Sequence, residues 1–390
     1  MKFALDEINS FWGSFLESEG IPYNLPNEKN FKLNESIDNN VYIITYPEKY
    51  SSIELLRIAD KGGILILPNT NFQKLANMKN IKIAVEKLDF SKEDFTVILE
   101  NDKYDAVTFN KILFGKGCIY GVVNNLDSLW GLDKKAIKKI VIDGKINAYS
   151  EEKLCVIEKR NIRRYAKLVL LDIVKFLDIP LIFIWKYPNS AKSVFNIRVD
   201  VDPDKNSDEQ KALERIINTF KSAEKYIDRT TWMINFYRRM PNYKFLQKYA
   251  EQKYDIQSHA YYHCLFPDKK TNQYNILLAH QLLEKLKIKP VGFNAPEYFW
   301  YNHTASIIEE MGYIYSNSLG FDHSNYPYRP LVNNRLRNYL EISPSPINYN
   351  RFVNALRERN INILAKYYRL LFENTYNKET PLLFYIHPQL

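Results

Sequence analysis

Short apolar runs that favour β-strands alternate with helical stretches along this 390-residue chain, and this alternation restricts the fold more than any other feature. Residues 41–45 and 63–68 have the composition of strands, whereas residues 52–61 and 72–78 have that of helices. Chains that alternate in this way build layered α/β structures. We therefore predict an α/β protein.

The length exceeds the usual size of one domain, so we predict two compact units and a connection. Residues 1–150 are expected to form a smaller βαβ-type layered domain. The sequence does not indicate the role of this domain, because the domain contains no glycine-rich phosphate-binding loop. Residues 151–192 would supply a connecting helix and strand. Residues 193–390 repeat β/α units and predict a distorted (β/α) barrel with its active site at the carboxyl ends of the strands.

The charge and cysteine content suggest partners and a compartment. A net charge of +9 favours anionic partners such as nucleotide-linked or lipid-linked sugars, or a membrane surface, although a lysine-rich solvated surface explains it equally. Nucleic acid is not expected, because no motif that reads it is present. Three scattered cysteines and an N-terminus without an apolar leader predict a cytoplasmic protein. Charges and Pro180 interrupt the most apolar segment, residues 165–187, so no transmembrane helix is expected and only peripheral membrane contact stays open.

Two acidic residues and two histidines have the spacing of a metal site. Asp200 and Asp202 lie at the end of one predicted strand and face the same side, because strand side chains alternate. His259 and His263 follow another strand-like run and are four residues apart. Two histidines and an aspartate leave one position open, as catalytic zinc sites do. We predict Zn²⁺ or another divalent transition metal, although turn chemistry or packing would explain either motif alone.

A last apolar run, residues 382–386, ends in His387. A histidine at a strand end can act as a general acid, because its pKa lies near neutrality. The alternative is a terminal strand with an incidental histidine.

The order of these motifs resembles the polysaccharide deacetylase family, also called the NodB-homology family or carbohydrate esterase family 4. The resemblance covers about half of the chain and is to members with an extra N-terminal α/β domain. It includes the aspartate pair, the histidine pair and the leucine-rich run that closes in His387. Secondary matches lie at residues 186–189, 231–233 and 312–321.

The resemblance implies a role for each of these residues. Asp202, His259 and His263 would bind the metal, and Asp200 would be the base that takes a proton from the water at the metal. A divalent ion lowers the pKa of water and polarises a carbonyl. The water would then attack the acetyl carbon of an N-acetylated sugar.

Two further roles follow from the same resemblance. The backbone N–H of Glu297 would stabilise the oxyanion, and His387 would protonate the departing amine. The products would be acetate and a free amino sugar. We therefore predict a metal-dependent deacetylase of glycan or polysaccharide biosynthesis.

The chain departs from the family pattern at the residue that holds the catalytic base. Asn294 stands where the third motif usually has an arginine that holds the base. Arg198, on the same strand face as the base, and Arg329 are the candidate replacements, and we favour Arg329. Asp322 is the candidate partner of His387.

Aromatic residues close to the motifs suggest sugar contact, because the apolar faces of sugars stack on rings. Tyr298, Trp300 and Tyr262 are the candidates, with core packing as the alternative. The substrate would be an N-acetylated sugar that is free, nucleotide-linked, lipid-linked or polymeric. An O-acetyl esterase, a non-sugar amidohydrolase and an inactive glycan-binding module remain alternative readings.

Overall fold

The structure is a computed structural model, and it describes a defined set of residues. These are residues 2–25, 40–79, 84–88, 107–122, 124, 126–130, 134–136, 140–142, 145–148, 153–155, 159–180, 187–202, 218, 230–237, 243–252, 254–320, 322, 324–345 and 360–387. The apolar run at residues 182–185 predicts the strand of the connecting segment, and residues 208–226 have the composition of a helix; both lie outside the described residues, apart from residue 218.

Twenty strands are described. They are β1 Lys2–Leu5, β2 Tyr23–Asn24, β3 Asn40–Ile43, β4 Ile64–Pro68, β5 Ala84–Leu88, β6 Val107–Phe114, β7 Gly117–Val122, β8 Lys134–Ala136, β9 Ile140–Ile142, β10 Lys145–Ala148, β11 Lys153–Cys155, β12 Phe195–Val201, β13 Thr231–Ile234, β14 Asp255–Ser258, β15 Gly292–Phe293, β16 Tyr315–Ser316, β17 Leu331–Val332, β18 Arg335–Leu336, β19 Leu340–Glu341 and β20 Leu382–Ile386.

Nine α-helices are described. They are α1 Phe11–Ser18, α2 Ser52–Asp60, α3 Asn69–Lys79, α4 Leu126–Trp130, α5 Lys159–Leu177, α6 Tyr243–Glu251, α7 Lys269–Lys285, α8 Asn302–Glu310 and α9 Ile361–Asn377. Short 3₁₀ turns lie at Pro47–Lys49, Pro188–Ser190 and Pro296–Tyr298. The alternation of strands and helices confirms the predicted α/β class.

The first sheet contains seven strands in the order β2-β1-β3-β4-β7-β6-β5, parallel from β2 to β7 and antiparallel beyond. Strand β4 is buried on both faces. Ile64 and Ile66 of β4 pack into the core that contains α1 and α5, whereas Leu65 and Leu67 face α2 and α3. Successive side chains of a strand point to opposite faces, so the apolar run in β4 is what a sheet covered on both sides requires.

The second sheet also contains seven strands, all parallel, in the order β19-β16-β15-β14-β13-β12-β20. From β12 to β16 neighbouring strands follow one another in sequence, and β20 returns beside β12, as in a β/α barrel. In the described part of the chain β19 and β20 are opposite edges of the sheet and do not pair. The sheet is therefore an incomplete barrel.

The register of this sheet aligns the strand ends that carry the motifs. Val201 pairs with Ile234, and Ile234 with Ser258, so β12, β13 and β14 end at the same level. Val199 pairs with Ile386, which brings the end of β20 beside β12. The residues that follow these strands therefore meet at one edge.

One apolar core joins the first sheet to later parts of the chain. It contains Trp130, residues of α5 such as Tyr165, and also Tyr326 and Tyr328. A separate core lies under the second sheet and includes Trp232. None of the described helices combines the length and apolarity needed to cross a membrane.

Candidate active site

The candidate site lies at the carboxyl edge of the second sheet. Asp202 follows β12, His259 follows β14 and His387 follows β20. Because neighbouring strands are parallel, the residues that follow their carboxyl ends lie at the same edge of the sheet. Barrel enzymes have their active sites at this edge. Residues 202, 259 and 387 are far apart in sequence and share one site because of this topology.

Asp202, His259 and His263 form a three-residue cluster with the donor atoms of a metal site. One ligand atom from each lies within 4.8 Å of the others. Oδ1 of Asp202 is 3.3 Å from Nε2 of His259 and 2.9 Å from Nε2 of His263. Two ligands about 2.0–2.2 Å from a tetrahedral zinc ion lie about 3.3–3.6 Å apart. The cluster therefore needs little rearrangement to hold such an ion.

The chemistry of the donor set also fits a cation. Nε2 of a neutral imidazole has a free electron pair when its proton is on Nδ1, and a carboxylate oxygen also has electron pairs to give. Both kinds of atom can therefore bind the same cation. Solvent reaches the cluster, since the side chains of Asp202 and His263 are each 20% exposed.

The loop that carries both histidines is held by buried asparagines. The side-chain amide of Asn235, just after β13, donates to the carbonyls of His259 and Ala260 at 2.9 and 3.1 Å. Oδ1 of Asn275 accepts from the N–H groups of Tyr261 and Tyr262 at 3.1 and 2.6 Å. Ala260 adopts the left-handed conformation with φ of 58°, which turns the chain. These bonds fix the direction in which the two imidazoles point.

The charges in the cluster favour ionised forms. Burial raises the pKa of Asp202, but hydrogen bonds from His259, His263 and His387 outweigh it and hold that pKa far below its ordinary value. Burial lowers the pKa of His263, but the hydrogen bond and charge of Asp202 raise it above the ordinary value. Asp202 is therefore a carboxylate throughout the neutral range.

His387 lies on the other side of the same carboxylate. Its Nε2 is 3.0 Å from Oδ2 of Asp202, and its side chain is 24% exposed. Burial lowers the pKa of His387, but the hydrogen bond to Asp202 and the charges of Asp200 and Asp202 outweigh it, so the pKa is raised. A histidine with a raised pKa retains a proton that it can donate.

Asp200 is held by a fully buried arginine on its own strand. Nε of Arg198 lies 2.8 Å from Oδ1 of Asp200, and Nη2 donates to Oδ2 at 2.8 Å. The guanidinium also lies 4.6 Å from the ring centroid of Tyr385 and donates to the hydroxyl of Tyr298 at 2.6 Å. This pairing fixes the orientation of the Asp200 carboxyl group.

Asn294 joins Arg198 to His259, a candidate metal ligand. Its Oδ1 accepts from Nη1 of Arg198 at 3.2 Å, and its Nδ2 lies 3.5 Å from Oδ2 of Asp200. Two atoms of Asn294 approach Nδ1 of His259: the backbone oxygen at 2.9 Å and Nδ2 at 3.0 Å. The residue therefore contacts the candidate base, its arginine and a candidate ligand at once.

Glu297 lies in a strained turn beside the cluster. Its φ is 53°, and among the described residues no acceptor faces its backbone N–H. Its carboxylate oxygen is 3.9 Å from Nδ1 of His263, and its side chain is 64% exposed. The turn is anchored where the N–H of Ala295 donates to Oγ of Ser318 at 3.0 Å. The exposed carboxylate of Glu297 thus lies beside the candidate ligand His263.

The three aromatic candidates for sugar contact take different positions. Tyr262 is half-buried and its ring lies 5.3 Å from that of Tyr237. Trp300 packs against the core that contains Phe293. The hydroxyl oxygen of Tyr298 accepts a hydrogen bond from Arg198. Tyr262 and Tyr237 therefore offer the ring surface beside His263, and sugar contact by all three stays a prediction.

Two of the predicted supporting contacts are wrong. Arg329 does not reach Asp200, because it pairs with Glu17 on α1; Arg198 takes the place that we had favoured for Arg329. Asp322 is not the partner of His387. Its carboxylate instead accepts from the backbone N–H of Lys159 at 3.0 Å, at the start of α5. Arg329 and Asp322 thus contact α1 and α5, the helices that pack in the core of the first sheet.

Three residues in the site were not singled out from the sequence. Asn235 directly follows a strand of the barrel, a position that could have signalled it. Asn275 lies inside α7, and no local pattern distinguishes it from a surface asparagine. Tyr385 lies two residues before His387 and therefore on the same face of the chain, which the sequence predicts. Its contact with Arg198 could not be predicted from the sequence.

A family model described as glycosyl hydrolase family 57 matches residues 147–382. It is a different family from the one that the motifs resemble. No curated protein matches the chain.

Solved structures with similar parts are distant. A protein assigned as a polysaccharide deacetylase from Mycobacterium smegmatis is 14% identical, with a TM-score of 0.42 over 52% of this chain and 79% of that one. Puue allantoinase is also 14% identical, with a TM-score of 0.42 over 52% and 80% of the two chains. One assigned as a polysaccharide deacetylase from Pseudomonas aeruginosa PAO1 is 15% identical, with a TM-score of 0.41 over 56% and 84%. At these scores none of them decides what this chain does.

Proposed function

The chain belongs to glycosyl hydrolase family 57, and from the geometry of its site we propose that it is a metal-dependent hydrolase removing an N-acetyl group from a sugar. The observation that carries the proposal is the convergence of Asp202, His259 and His263, with donor atoms within 4.8 Å of one another. Cleavage of a glycosidic bond by carboxylates alone has no use for such a cluster.

Asp202, His259 and His263 would hold the ion, which supplies a Lewis acid for the acetyl carbonyl and a water of lowered pKa. Asp200 is oriented by Arg198 and lies on the same strand face as Asp202, so its carboxylate can accept the proton of the attacking water. The free N–H of Glu297 can donate to the oxyanion. His387 can give a proton to the departing amine, without which the C–N bond breaks poorly.

Glycoside hydrolysis is the second candidate, and the family match favours it. Most glycosidases use a pair of carboxylates that flank the scissile bond, one as acid and the other as base or nucleophile. The exposed carboxylate of Glu297 and that of Asp200 could form such a pair. Three histidines, however, contact Asp202, and a pair of glycosidase carboxylates does not need them. Those contacts favour the deacetylase.

The two candidates differ in what Glu297 contributes. A deacetylase uses only its backbone N–H, whereas a glycosidase needs its carboxylate. The test compares wild type, Glu297→Gln and Asp200→Asn on N-acetylated oligosaccharides and on unmodified glucans, measuring acetate and new reducing ends. Acetate release that persists in Glu297→Gln and is lost in Asp200→Asn supports the proposal. New reducing ends that disappear in Glu297→Gln would establish glycoside cleavage instead.

The same assay addresses the remaining alternatives. Acetate from an O-acetyl sugar but not from an N-acetyl sugar would identify an esterase, and release from non-sugar amides would identify an amidohydrolase. Bound metal with neither product, together with glycan binding, would identify an inactive glycan-binding module.

A further inference from the structure

Asn294 presents both a donor and an acceptor to the same nitrogen of His259. The backbone oxygen is 2.9 Å from Nδ1, and the side-chain Nδ2 is 3.0 Å from it. A carbonyl needs a proton on Nδ1, whereas an amide N–H needs a bare Nδ1. Only one of the two hydrogen bonds can exist at a time in neutral His259.

Arg198 fixes which way the amide points. A guanidinium can only donate, so the Asn294 atom 3.2 Å from Nη1 of Arg198 must be Oδ1. The amide nitrogen is then directed at His259 and at Oδ2 of Asp200, which also accepts. Asn294 is 1% exposed and Arg198 is fully buried, so water does not compete for these positions.

The two bonds correspond to two tautomers of His259. If Nδ1 accepts from the Asn294 amide, the proton is on Nε2, which can donate to Oδ1 of Asp202 at 3.3 Å. If Nδ1 donates to the Asn294 carbonyl, Nε2 is unprotonated and can act as a ligand. Metal binding requires the second form, because a protonated Nε2 has no electron pair to give.

We propose that Asn294 is a positioning residue that stabilises the metal-free tautomer of His259 through its side chain and the metal-binding tautomer through its backbone. This inference rests on the proposed metal site. The side-chain bond must break when an ion binds, so it opposes binding. Asn294 thereby keeps Nδ1 of His259 hydrogen-bonded in the metal-free protein, at a cost in metal affinity.

Asn294→Ala removes the donor and leaves the backbone carbonyl. In metal-free protein at mildly alkaline pH, we expect the His259 proton to move from Nε2 in wild type to Nδ1 in the variant. Two-bond ¹H–¹⁵N correlation spectra distinguish the tautomers, with the His259 signals assigned through His259→Gln. Zinc should bind about 2- to 10-fold more tightly in Asn294→Ala, the equivalent of one lost hydrogen bond.

Asn294→Asp is the second variant, because it keeps the shape while replacing the donor by an acceptor. It should also place the proton on Nδ1. Asn302→Ala is the matched control, since Asn302 is exposed and its amide contacts Asn333; neither tautomer nor affinity should change there.

A proton on Nδ1 in metal-free wild type, or on Nε2 in both Asn294 variants, would overturn the inference. Unchanged zinc affinity in a folded Asn294→Ala would do the same. Absence of zinc binding in wild type would instead refute the proposed function, while the tautomer in the metal-free protein would still decide the role of Asn294.

Discussion

Arg198 and Asp200 lie two residues apart on β12 and form a bidentate ion pair in which the arginine side chain is fully buried and that of the aspartate is 4% exposed. A buried charge that loses its partner destabilises a protein strongly, whereas a pair that is neutralised together costs less. The same pair would hold the catalytic base, so stability and activity depend on one contact.

Removal of this arginine should therefore destabilise the fold. We expect Arg198→Gln to lower the free energy of unfolding by about 3–5 kcal/mol, because the buried carboxyl group of Asp200 loses its partner. Chemical denaturation followed by fluorescence measures it. The double variant Arg198→Gln/Asp200→Asn should recover part of that loss. A single variant as stable as wild type would contradict the buried pairing.

Arg329 provides a matched comparison. Its contact with Glu17 is partly exposed, at 36% and 24% for the two side chains, and such pairs contribute about 0–1 kcal/mol. Arg329→Ala should lose no more than that in a denaturant titration. Its acetate release should equal that of wild type, and a large loss would show that Arg329 acts on the base after all.

His259 and His263 should be required for metal binding and activity but not for folding. His259→Ala and His263→Ala are each expected to lose bound metal, as measured by atomic absorption, and to lose activity by about 100-fold or more. Circular dichroism should show that both remain folded. His280→Ala, whose imidazole contacts Tyr313, should retain its metal. Full activity in either ligand variant would disprove the assignment.

Metal removal should lower thermal stability. A ligand that binds only the native state adds about 2.7 kcal/mol when its concentration is 100 times the Kd. Chelation of the wild type should thus lower the Tm, and zinc should restore it. In His263→Ala, zinc should have no such effect; an equal increase there would locate the binding elsewhere.

Asn275 holds the loop that carries both histidines, and it should affect the affinity for the metal without binding the metal itself. Oδ1 of Asn275 accepts from two loop N–H groups, and its Nδ2 donates to the carbonyl of Cys264 at 2.9 Å. We expect Asn275→Ala to weaken zinc binding about 10- to 100-fold, as loss of an outer-shell contact does. Isothermal titration measures this, and an unchanged Kd would show that the loop holds its shape unaided.

Local patterns were sufficient for the elements that carry the site. The apolar run of β20 ends one residue before His387, and alternation along β12 places Arg198, Asp200 and Asp202 on one face. Those relations depend on neighbours in sequence, so the residues themselves predict them. The α/β class followed from the same periodicities.

Long-range relations were less accessible. Position relative to a family motif favoured Arg329, but its pairing with Glu17 depends on how α1 packs against residues 326–337. Asn275 supports the histidine loop only because α7 packs beside β14. Contacts between residues hundreds of positions apart leave no local periodicity.

By itself, the sequence determined which residue types end which strands, and hence the chemistry available: two carboxylates, three imidazoles and a buried arginine. Only the tertiary structure decided which of them meet. Strand order and register brought β12, β14 and β20 to one edge, and packing directed Arg198 rather than Arg329 at the base. The reason is physical: side-chain direction along a strand is local, whereas the partner that a buried charge finds depends on the whole packed core.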